Sequence, residues 1–80
     1  MVELPGAAEQ KAFYKAQREE LLKINLQNEY TRLRAQKRLD KAVEEGDDEI
    51  ATIARQELKK VETEFAAATL YLEVIDEQLA

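Results

Sequence analysis

Arg34, Lys37, Arg38 and Lys41 recur at i, i+3, i+4 and i+7, a spacing that stacks four positive side chains along one side of an α-helix. Such a stripe can hold phosphate oxygens, meet an acidic protein surface, or pair with acids of its own chain. Its setting orders these choices. Residues 1–45 carry nine basic and eight acidic side chains, and residues 46–80 three and nine. A folded-back chain would bring Glu44, Glu45, Asp47, Asp48 and Glu57 near the stripe. The first expectation is therefore an intramolecular charge complement that fixes antiparallel register. An acidic protein partner comes next and nucleic acid last, because a phosphate-binding surface ordinarily shows more base and less neighbouring acid.

Other chemistries find few residues to carry them. The chain has no Ser, His, Cys or Trp, which excludes hydroxyl and thiol triads, cysteine nucleophiles and histidine general bases. Carboxylates are abundant, yet a carboxylate site in a helical bundle needs acids pointing inward, typically with Glu-x-x-His ligand pairs. Glu57, Glu62, Glu64 and Glu73 fall outside the apolar seam of the second half of the chain and read as a solvated face. The Glu45-Gly46-Asp47-Asp48 turn would repel a phosphate and lacks the oxygen spacing of a calcium loop. The sequence thus predicts a chain that is not an enzyme, with no cofactor and no metal.

The elements that would position the stripe are strongly patterned. From residue 51 to 79 every a and d slot of four uninterrupted heptads is apolar: Ala51, Ala54, Leu58, Val61, Phe65, Ala68, Leu72, Ile75 and Leu79. A 3.5-residue period keeps one seam turned toward one partner helix. Pro5 and Gly6 confine residues 1–6 to an N-terminal arm, and nothing from 7 to 45 breaks a helix. Gly46 can end that helix in a left-handed conformation, while the following acids can cap a second helix over 48–79. The prediction is an all-α fold in one domain: two long antiparallel helices, a coiled-coil-like αα-hairpin, joined by a turn at 46–47. At 1.5 Å per residue its arms measure about 58 Å and 50 Å. One continuous rod through Gly46 is the alternative that the acidic trio disfavours.

Helix 1 carries more apolar surface than one partner helix can cover. One track runs through Tyr14, Gln17, Leu21, Ile24, Asn28, Thr31, Ala35, Arg38 and Ala42, with Leu39 beside its last turn. A second, on another side, runs through Leu22, Leu26, Tyr30 and Leu33 and is extended toward the N-terminus by Ala12, Phe13 and Ala16. Leu70, Tyr71 and Val74 likewise widen helix 2 beyond its seam. Soluble monomers seldom leave contiguous patches of this kind in water. Two hairpins pairing into a four-helix bundle, or one hairpin packing on the helices of a different protein, would cover them. Asn28 and Thr31 interrupt the first track at its midpoint, either because burial there is partial or because polar groups fix register.

An 80-residue chain lies near the size at which a single core needs help, and with neither disulfides nor a Cys/His metal site that help must come from helices. Charged residues make up 36% of the chain and apolar ones 45%, with two glycines and one proline, the profile of a long-helix protein. A net charge of −5 argues against acidic lipid surfaces, and no apolar run approaches a membrane span. No basic stretch followed by an apolar one opens the first twenty residues, so the expected location is cytoplasmic. The functional expectation is a protein–protein interaction module. It self-associates, as a homodimer or higher, and offers a helical surface to a larger assembly as adaptor, assembly factor, chaperone-like subunit or inhibitor. A small dimeric nucleic-acid-associated protein using the basic stripe is the alternative.

Overall fold

The computed structural model describes residues 3–80 and consists of two helices, α1 (Ala7–Glu45) and α2 (Asp48–Leu79), packed antiparallel along their length. Met1 and Val2 of the expected arm lie outside the described residues. The molecule is a slab of 59 × 23 × 14 Å, one helix long and little more than one helix thick.

Both ends of the turn are closed by hydrogen bonds that follow from residue type. Gly46 takes φ 71° and ψ 24°, the left-handed region that only glycine enters without a Cβ penalty. In that conformation its N–H donates to the Val43 carbonyl at 3.2 Å and the Asp47 N–H to the Ala42 carbonyl at 2.8 Å, so carbonyls that α1 would leave orphaned are satisfied. Asp47 then caps α2, its carboxylate accepting from the Ile50 N–H at 3.1 Å. Asp48 and Glu49 follow in the first turn, where negative charge opposes the helix dipole. At the other end Gly6 caps α1 without a side chain, and Gln10 folds back to donate from Nε2 to the Pro5 carbonyl at 2.7 Å.

The core between the helices is built mostly from small residues. Its buried apolar members are Ala35 and Ala42 from α1 with Ala51, Ala54, Val61, Ala68 and Ile75 from α2, and among the described residues no large side chain is fully enclosed. Five alanine side chains together contain hardly more carbon than a single leucine. Leu58, Leu72 and Leu79 are half-buried along the edges. Phe65, placed mid-seam by the heptad count, is 40% exposed. At its level α1 presents the charged Glu29 and Arg32, and the ring rides on the flank. There it lines an open groove with Glu29, Arg32, Val61, Glu62 and Ala66.

α1 is also rotated from the track that its leucines suggest. Leu21, Asn25, Asn28, Arg32, Ala35, Leu39 and Ala42 are the buried or half-buried residues of this face, whereas Gln17, Ile24 and Arg38 are exposed at its border. The seam of α1 thus alternates steps of four and three in the opposite order from the expected track. Its middle is polar rather than aliphatic.

Candidate functional site

The basic stripe of α1 is largely engaged by its own chain. Arg34 and Arg38 converge on Glu57 of α2, with nitrogen–oxygen distances of 3.4 and 3.7 Å, and the Glu57 side chain is only 27% exposed. Arg34 also lies over the Tyr30 ring, 5.5 Å from its centroid. Lys41 reaches Glu45 one turn on at 4.0 Å. Of the four, Lys37 makes no ion pair among the described residues. Glu44, Asp47 and Asp48, the other acids expected near the stripe, make no ion pair with it among the described residues, although Glu44 lines an open groove with Lys37 and Lys41. The pairs are long and partly solvated, so each stabilises the hairpin by at most about 1 kcal/mol. Only the two to Glu57 cross between the helices.

Asn28 is 7% exposed, so partial burial does not account for its polarity. Its amide donates to Asn25 Oδ1 at 3.2 Å, and the Asn25 amide donates across the seam to Thr69 Oγ1 at 3.3 Å. The Thr69 hydroxyl then donates to the Phe65 carbonyl of its own helix at 2.9 Å. This relay leaves no enclosed side-chain polar atom without a partner among the described residues. Near the open end of the hairpin, Arg18 Nε meets Asp76 Oδ1 at 2.9 Å. The cross-helix pairs Arg18–Asp76, Asn25–Thr69 and Arg34–Glu57 rise along α1 as they fall along α2, three polar marks of one antiparallel register. Asn25, Thr69 and the Arg18–Asp76 pair escape a reading that follows apolar periodicity. Their signal is that each polar residue has a complementary one at the matching height on the other helix.

On the flank that carries Phe65, Glu29 and Arg32 form a two-point pair at 2.9 and 2.6 Å. Those hydrogen bonds hold the Glu29 carboxyl below its ordinary range, and the same contact raises the Arg32 guanidinium, helped by the charge of Glu62. Both side chains remain about two-fifths exposed.

Two regions gather much of the remaining apolar surface. Leu22, Leu26, Tyr30 and Leu33 lie along the back of α1, away from α2, and are between 45% and 73% exposed. Leu70, Tyr71 and Val74 of α2 are each half exposed or more. Tyr71 and Val74 line an open groove with Phe13, Tyr14, Gln17, Leu21 and Ile75, where the start of α1 passes the end of α2. Phe13 and Tyr14 meet there edge to face at 5.5 Å. Leu70 is not in that groove. Of the exposed residues, Leu22, Leu26, Tyr30 and Leu33 thus form the strip on α1, and Tyr71 and Val74 lie in the groove between the helix ends.

Among the described residues no three acids are placed to hold a metal ion, and no helix is long and apolar enough to cross a membrane. Searches of protein-family models, curated proteins and solved structures returned no match for this chain.

Proposed function

We propose that this chain is a non-enzymatic protein–protein interaction module that self-associates and presents a helical surface to a larger assembly. The observation that carries this reading is an inversion of size between inside and outside. Among the described residues five of the seven buried apolar residues are alanines, while thirteen large apolar side chains are at least 40% exposed. Scattered leucines on a surface need no explanation, but Leu22, Leu26, Tyr30 and Leu33 make one continuous strip at helical spacing. Covering such a strip with a helix would remove four large apolar side chains from water, which is favourable in proportion to the area buried. The nucleic-acid alternative loses support at the basic stripe, because Arg34, Arg38 and Lys41 already face carboxylates.

Replacing Leu26 and Leu33 together with Lys tests the reading, since both point away from α2. Circular dichroism should show the helical signal retained, and light scattering should show the assembly mass falling to that of one chain. Unchanged mass together with retained partner binding would remove the strip from consideration as an interface.

A further inference from the structure

The strip on the back of α1 has a symmetry that names its occupant. Counting outward from the level of Gln27 and Asn28, Leu26 is matched by Tyr30, Leu22 by Leu33, Glu19 by Lys37 and Lys15 by Asp40. All of these side chains are exposed and lie on or beside the strip. A two-fold axis at that level would lay α1 antiparallel on the same helix of another copy. Each match would then become a contact made twice: leucine on leucine, leucine on tyrosine, and two kinds of opposite-charge pair. Farther out, Ala12 would meet the exposed Val43.

The charges decide between orientations. Lys15, Glu19, Lys37 and Asp40 have no ion-pair partner within the hairpin among the described residues, and Asp40 accepts only the Gln36 amide, at 2.9 Å. By contrast Lys23 and Glu29, which border the strip near the axis, are already paired with Glu20 and Arg32. A parallel arrangement would set Lys15, Glu19, Lys37 and Asp40 each against its own copy, like on like throughout. The antiparallel one turns every such clash into an attraction. We propose that a second copy of this chain covers the strip through a two-fold antiparallel α1–α1 contact, oriented by Lys15 with Asp40 and by Glu19 with Lys37 of the second copy. This rests on the self-association proposed above and adds which helix, which direction and which register.

The chain has no cysteine, so a single Glu45→Cys substitution gives one spin-label site per copy, outside the proposed contact. At 1.5 Å rise per residue the antiparallel register places the two labels about 50 Å apart, whereas a parallel pair keeps them within about 25 Å. In a companion measurement at low salt, Lys15→Glu should weaken the dimer about tenfold, and Lys15→Glu combined with Asp40→Lys should restore it. A dimer with the short distance, or one whose constant is unmoved by either charge change, overturns this pairing and leaves self-association standing. A chain that stays monomeric at about 1 mM overturns self-association itself and the pairing with it.

Discussion

At the scale of residues, the polar relay through Asn28, Asn25 and Thr69 stabilises one alignment of the helices where a greasy seam would accept several. Thr69→Val keeps the shape and removes both the acceptor for Asn25 and the bond to the Phe65 carbonyl. In urea denaturation at fixed protein concentration it should lower stability by about 1 kcal/mol with an unchanged slope. An equal or higher midpoint would show that the cross-helix bond contributes nothing. Glu29 gives a pH-dependent companion. Its folded carboxyl titrates below its ordinary range, so the pair's stabilisation is present above the ordinary carboxylate pKa and lost as pH falls through the lowered folded value. Glu29→Gln should therefore flatten the acid limb of the stability curve and leave its salt dependence at neutral pH slightly weaker. Identical acid limbs in the two proteins would contradict it. The charges of the stripe were readable from spacing, because i, i+3, i+4, i+7 fixes a side of a helix whatever the tertiary structure. That Glu57 gathers two of them was not, since it depends on the helix-to-helix register, which apolar periodicity leaves free by a turn.

At the scale of elements, the hairpin depends on its two-residue turn. Gly46→Ala puts a Cβ at φ 71°, where space is open but the backbone conformation is disfavoured, and should cost about 1–2 kcal/mol in a thermal or chemical melt. No change in melting temperature would mean that the left-handed cap is dispensable. The helix ends were legible because their chemistry is local: one glycine that can enter the left-handed region, one aspartate that can cap, and acids in the first turn. The facing side of α1 was less so. Its leucines and isoleucine draw the eye to a track containing Ile24, yet Asn25, Arg32 and Leu39 are the half-buried residues, Asn25 bonding across the seam to Thr69 and Arg32 to Glu29 of its own helix. Phe65 shows the same limit from the other helix. Heptad position gives direction and not available width, and width is set by the residues of the opposing helix.

At the scale of the whole molecule, the hairpin is thin, with small residues inside and many large apolar ones outside. The all-α antiparallel architecture was written plainly in the heptads of residues 51 to 79 and in Gly46. The surplus of apolar surface was visible too, as a second track that one partner helix cannot reach. What spacing could not reveal is that Phe13, Tyr71 and Val74 share a groove apart from the strip along α1, since that follows from how far α1 is turned about its own axis. The central claim is that this surface is covered by helices of further copies. Sedimentation equilibrium of the unaltered chain, run from about 10 μM to about 1 mM, tests it directly because self-association is driven by mass action. The expected result is a mass that rises to at least twice the 9.2 kDa of one chain and falls on dilution. A single species of 9.2 kDa across the whole range, still fully helical, would contradict it.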